Sequence, residues 1–202
     1  MRREPTPYPK EDTVPEVSDL EAAQGEARRR VAAIGGSQRA LPTPCSEWDI
    51  RALVVHMIEG SRMALRLLCG ATGAEARSVF GASHGPDLGA EFDAAFADEL
   101  ATFGEPGALD QTVHHPAAGD IPATVLLEFR TLDYVLHSWD LARAAGGDDA
   151  LPEDLVASAW ATMQPMAEAI GTIGPFGTGP CGTVGEDAPL QQRLLDLSGR
   201  RP

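Results

Sequence analysis

The stretch LDYVLHSWDLARAAGG, residues 132–147, lines up three ionisable side chains: Asp133 and His137 are four apart, and Asp140 follows His137 by three. On a helix those intervals put all three on one face, within about 60° of each other. A carboxylate and an imidazole one turn apart can reach a common point, and a second imidazole would complete a three-donor set. Two histidines and one carboxylate are a known facial arrangement for Zn2+ and for non-haem Fe2+, with the remaining positions left to water or substrate. His56, mid-helix in LVVHMIEG, can supply that second ring.

The same residues have a plainer reading. Arg130, Asp133, His137 and Asp140 form i,i+3 and i,i+4 pairs, worth about 0.2–0.5 kcal/mol each on a solvated helix face. His56, on a stripe with Ala52, Leu53, Gly60, Met63 and Leu67, equally suits a hydrogen-bonded core position. Against the solvated face, Leu126, Leu141 and Ala144 lie within about 40° of His137. The helix is also apolar around most of its circumference, as expected when both sides are covered.

The elements that must position these residues are helical. Val17, Leu20, Ala27, Val31 and Ile34 follow a helical period over about 16–34, and Gly35-Gly36 ends it. Ser46 and Asp49 form a capping-box-like start to the helix that carries His56, which Gly70 closes. Leu88, Phe92, Phe96, Leu100 and Phe103 mark a third helix over 87–103. A polar connection, GEPGALDQTVHHPAAGDI, leads to a fourth, opened by Pro122 and stopped at Gly146-Gly147. Pro152 opens a fifth, which Pro165 ends or kinks. No period-2 strand stands out. The fold class is all-α, with at least four long helices that favour an antiparallel bundle. Residues 1–15 read as a disordered lead-in, and 16–202 as a single domain. Within it, 171–187 is a Gly/Pro-rich loop and 188–199 a short closing helix.

Composition narrows the partners. The 202 residues are 43% hydrophobic but only 5% aromatic, so the core rests on Ala, Leu and Val. Thirty acids against 16 bases give a formal charge of −14, which repels a phosphate backbone and an anionic membrane surface alike. Nucleic acid and membrane are therefore set aside. Cys45, Cys69 and Cys181 form no CxxC pair. With no apolar leader at the N-terminus and no apolar run of transmembrane length, a cytoplasmic protein with reduced thiols is expected. Monomer and homodimer are both compatible with this composition.

Three blocks in order, LPTPCSEWDIRALVVHMIEG, LDYVLHSWDLARAAGG and PFGTGP…APLQQRLLDLSGR, resemble successive signatures of one bacterial family. It is the mycothiol-dependent maleylpyruvate isomerase-type, metal-binding branch of the DinB-like superfamily, and the likeness runs from about residue 20 over most of the chain. The resemblance implies a DinB-like antiparallel four-helix bundle, here with an additional C-terminal helical segment, holding one divalent ion. Zinc or nickel is the usual metal, and iron also suits the donors. Its ligands would be His56 on the second helix and Asp133 and His137 on a later one. The departure is Asp133, where the isomerase itself has Glu; one methylene less brings the metal closer to the helix or favours another ion. Asp140 belongs to the recognition motif and takes a supporting role beside the ligands. Arg130, one turn before Asp133, is a candidate for recognising the thiol.

Other chemistry-bearing residues read as structural. His114 and His115, adjacent before Pro116, suit a surface or hinge; His84 suits a loop. Cys45 has no histidine base paired with it in the sequence and is taken as packing, with Trp48 and Trp139 as core anchors. The resulting expectation is a metal-dependent enzyme that joins a small-molecule electrophile to a low-molecular-weight thiol of the mycothiol type, or isomerises it. The alternatives are a non-catalytic metal-binding stress or interaction module, and a metal-activated hydrolase with water in place of the thiol.

Overall fold

The computed structural model describes residues 16–85, 87–170 and 179–202. The lead-in over 1–15 and the first part of the Gly/Pro-rich segment, 171–178, lie outside the described residues. Four long helices build one compact unit, Pro15–Ala150: α1 (Val17–Ala33), α2 (Ile50–Leu68), α4 (Leu88–Phe103) and α5 (Ala123–Ala145). The five-residue α3 (Gly73–Arg77) follows α2. In the bundle α1 packs on α5 and α2 on α4, while α2–α5 and α1–α4 contacts close the ring. Leu20, Leu53, Met57, Phe92, Phe96, Leu126, Tyr134 and Trp139 fill it, all 2% exposed or less. This is a four-helix bundle, as the helical stripes predict.

Asp49 opens the helix that carries His56. Its carboxylate accepts the Ala52 N–H at 2.8 Å, satisfying one of the free donors of the first turn. The helix therefore begins at Ile50, later than a start at Ser46. Residues 42–49 are diverted into a loop instead: Pro42 bridges Asp49, and the Thr43 hydroxyl donates to Trp48 O at 2.8 Å.

The connection before α5 is not wholly irregular. Thr112–His115 (β1) and Gly119–Pro122 (β2) pair antiparallel, with Val113 opposite Ile121, both 1% exposed. Four residues per strand with one apolar side chain each carry too little alternation to be read as strands. Gly119 at φ 73° turns the chain where a side chain would be strained. Pro122 then caps α5, which ends at Gly146 in the left-handed region.

A second compact unit spans Leu151–Pro202. It holds α6 (Glu153–Met163), a 3-10 turn at Gln164–Met166 that contains Pro165, α7 (Ala167–Ile170) and α8 (Leu190–Leu197). Within it α6 packs on α8, and the Arg193 guanidinium lies 4.6 Å from the Trp160 ring centre. No helix among the described residues is long and apolar enough to cross a membrane.

Candidate metal centre

From Arg130 to Ala142 every residue of α5 except Asp133 is buried. That excludes the solvated-face reading of the stripe and makes Asp133 the opening in an otherwise covered surface. Its Oδ1 lies 3.2 Å from His137 Nε2 and 3.5 Å from His56 Nε2. The two imidazoles meet edge-on, with ring centres 5.2 Å apart at 84°. One donor atom from each of His56, Asp133 and His137 lies within 4.8 Å of the others, a group able to hold a metal ion. The side chains of His56 and Asp133 are 25% and 24% exposed, so solvent reaches the cluster from their side.

The remaining donor atoms of two members are engaged elsewhere. Arg130 donates to Asp133 Oδ2 at 2.9 Å, and His137 Nδ1 lies 2.9 Å from Asp140 Oδ2. Asp140, fully buried, also accepts from the Cys45 thiol at 3.4 Å. Carboxylate–histidine pairing of this kind fixes ring orientation and tautomer at metal sites. Cys45 thus stands beside the site and not in remote packing, and Cys45, His137 and Asp140 form a second metal-capable group that shares His137.

Arg130 is the hub of a buried network that ties all four long helices together. Its Nε donates to Glu99 Oε1 of α4 at 2.8 Å, and its Nη2 to the Tyr134 hydroxyl. The Tyr134 hydroxyl in turn donates to Glu99 and pairs with Ser61 of α2 at 2.7 Å. Gln24 of α1 donates to Glu99 Oε2 at 3.0 Å. Gly60 makes room for the guanidinium: a Cβ there would lie 2.5 Å from Arg130 Nη1. Gly60→Ala is therefore expected to push Arg130 off Asp133 and cost about 1–3 kcal/mol of stability in urea unfolding, a typical overpacking penalty. An unchanged unfolding midpoint would show that the guanidinium relocates freely.

Charge follows geometry. Burial pushes the Asp133 carboxyl up, but the charges of His137, Arg130 and His56 outweigh it and hold the group well below the usual carboxylate range. Burial opposes charge on His137 as well; the Asp133 carboxylate and hydrogen bonds to Asp133, Asp140 and Cys45 prevail and raise it well above 6.5. The raised value favours a proton on metal-free His137, and a metal ion bound at its Nε2 would compete with that proton. Zinc affinity is expected to climb by up to about tenfold per pH unit while pH is below the raised His137 value and to level off above it. Chelator competition at several pH values measures the slope. In the metal-free chain His137 contributes stability that is fully present below about pH 6.5 and is lost as pH rises through its raised value. Asp133 contributes stability present above about pH 3.9 and lost as pH falls through its lowered value.

Other sequence expectations meet different surroundings. Trp139 is a core residue at 2% exposure, but Trp48 is only half-buried, its ring 4.5 Å from that of His56 and 6.1 Å from that of His137. The loop that precedes α2 carries it to the site, so it is not the core anchor expected. His84 does sit in a loop, yet its side chain is 4% exposed, between Glu59 and Glu91. His114 pairs with Asp120 across the exposed hairpin at 2.6 Å, and His115 Nδ1 accepts the Ala117 and Ala118 N–H groups in the turn. Cys45 and Trp48 were marked by their place in the PTPCSEWD block; nothing local in the sequence marks Phe80, whose ring faces His56.

Fold and site together define a DinB-like helical bundle with a two-imidazole, one-carboxylate cluster between its second and last long helices. Residues 20–142 match the model of the mycothiol maleylpyruvate isomerase N-terminal domain, and the chain belongs to that family. An uncharacterized protein of Mycobacterium tuberculosis, present in two strains, is 31% identical over 168 residues, 83% of this chain and 84% of the relative. Among solved structures, a crystal structure of a histidine-to-alanine mutant of the mycothiol-dependent maleylpyruvate isomerase is similar in fold. Its TM-score is 0.60 at 16% identity, covering 81% of this chain and 70% of that one.

Proposed function

We propose that this chain is a metal-dependent enzyme that uses a low-molecular-weight thiol of the mycothiol type to isomerise an electrophilic small molecule or to form its S-conjugate. His56, Asp133 and His137 are its metal ligands in this reading. The observation that carries it is the convergence of two Nε2 atoms on one oxygen of Asp133, with the neighbouring oxygen and Nδ1 already held by Arg130 and Asp140. Two imidazoles and one carboxylate suit zinc, with nickel and ferrous iron also compatible. A divalent ion there would supply Lewis acidity that keeps a thiol or water deprotonated near neutral pH. The family's name, taken from a mycothiol-dependent isomerase, supports the thiol over water.

The chain's own residues have distinct tasks in this reading. Arg130 occupies Asp133 Oδ2, so Asp133 offers a single oxygen. Asp140 accepts a hydrogen bond from the Nδ1–H of the neutral His137 ring and leaves the Nε2 lone pair turned to the site. The Arg130 guanidinium, in a side chain 6% exposed, has its donors turned inward, so we assign it to holding Asp133 and not to recognising the thiol. The free thiols of Cys45, Cys69 and Cys181, together with a thiol co-substrate, fit a reducing compartment, and we place the protein in the cytoplasm on that ground.

Zinc-loaded and metal-stripped protein should be compared for consumption of several thiols by a generic electrophile such as 1-chloro-2,4-dinitrobenzene, and for isomerisation of a cis-configured conjugated acid. Acceleration that requires both metal and thiol is the expected result. Metal-dependent hydrolysis without thiol would replace this reading with the hydrolase. No acceleration with any thiol would leave a metal-binding module.

A further inference from the structure

Among the described residues, Phe80 and Leu41 are the large apolar side chains more than a third exposed, at 39% and 38%. Phe80 stands in the loop after α3, and its ring lies 6.5 Å from the His56 imidazole at only 27°. Trp48 lies near the same imidazole at 31°, so both aromatic planes run roughly parallel to it.

The loop that carries Phe80 is pinned from both neighbouring helices. The Gly81 N–H donates to Glu59 Oε1 of α2 at 2.7 Å, and His84 Nε2 stands 3.5 Å from the same oxygen. His84 Nδ1 lies 3.0 Å from Glu91 Oε2 of α4, the Gly85 N–H donates to Glu91 Oε1, and Arg62 donates to Glu91 Oε2 at 3.1 Å. Glu59 and His84 are 8% and 4% exposed as side chains. Burying a carboxylate and an imidazole costs several kcal/mol unless they are well paired. Here the paired groups hold a short loop whose apolar tip stands in water, and Glu59 follows His56 by one helical turn. The clamp seats Val79 in the core at 6% exposure and leaves the adjoining Phe80 ring 39% exposed. It has a clear effect on the donor cluster, because it holds an aromatic ring beside His56.

We propose that Phe80, held by the Glu59–His84–Glu91 clamp, is a specificity-determining residue that with Trp48 selects site ligands carrying a flat, apolar body. The substrate class that follows is a conjugated or aromatic electrophile, in preference to a small polar one. This rests on the metal reading of His56, Asp133 and His137.

The test uses the full chain loaded with cobalt(II), titrated with benzyl mercaptan and with 2-mercaptoethanol, and followed by thiolate-to-cobalt charge-transfer absorption. Stacking and burial of one ring should favour benzyl mercaptan by about tenfold in the wild type. Phe80→Ala should bring the two thiols within about threefold of each other at unchanged cobalt content, with Phe80→Leu between. His84→Gln, which loosens the clamp but leaves the ring, should lose part of the preference. A Phe80→Ala protein that binds cobalt and keeps the full preference would overturn this proposal alone. A wild type that binds no cobalt would overturn the metal reading, and this proposal with it.

Discussion

Replacing His137 by alanine is expected to lower zinc affinity by more than about 100-fold, because loss of a proposed ligand must exceed the 10–100-fold cost of losing a mere supporting partner. His137 is 7% exposed, and its ring is fixed from the back by Asp140, so its Nε2 is presented without further ordering. Its removal leaves Asp133 Oδ1 and His56 Nε2 as the two remaining proposed ligands. His56→Ala should act in the same direction. Asp140→Asn provides the internal scale: it leaves all three proposed ligands in place and should cost about 10–100-fold through the orientation of His137. His114→Ala, in the exposed hairpin, should leave affinity unchanged. Metal analysis after purification without chelator, followed by chelator competition, measures the series. Equal zinc in the wild type and in both histidine variants would sink the assignment of the site.

The second large effect is on stability. Arg130→Ala should destabilise the bundle by about 3–5 kcal/mol in urea unfolding, the cost of leaving a buried charge without its partner. Glu99 is fully buried, and it would keep only Gln24 and the Tyr134 hydroxyl as donors. Asp133 would lose the donor to Oδ2 at the same time. Glu99→Met introduced beside Arg130→Met should recover part of the loss, since replacing a buried ion pair by apolar groups is often near neutral. A loss below about 1 kcal/mol for Arg130→Ala would mean that water reaches Glu99 and replaces the guanidinium.

The four long helices were legible because each carries its own local signals. The α1 and α4 stripes, Gly146 behind α5 and Pro152 before α6 all mark elements that the structure contains. What slipped was short or diverted. The loop bridged by Pro42 and Asp49 moved the start of α2, and a hairpin with one buried residue per strand has almost no period to detect. The three proposed donors were legible from helical spacing and from the family blocks. The roles of Trp48, Cys45 and Phe80 were not, since each depends on a neighbour far away in the chain or on a loop.

By itself the sequence determined that His137, Asp133 and Asp140 share a helix face, that His56 lies within another helix, and that at least four long helices with no period-2 strand would pack helix on helix. Those properties are local: a 3.6-residue period, caps and charge are properties of neighbouring residues. Only the tertiary structure decided whether the stripe meets water or a partner, and which atom of each side chain faces the cluster. Arg130 reaches Glu99 across 31 positions, and Cys45 reaches Asp140 across 95. Asp133 and His137 are held by Arg130 and Asp140 of their own helix, and those two are held in turn by Glu99 and Cys45, because a buried charge or polar group must find its counterpart wherever packing has brought one within reach.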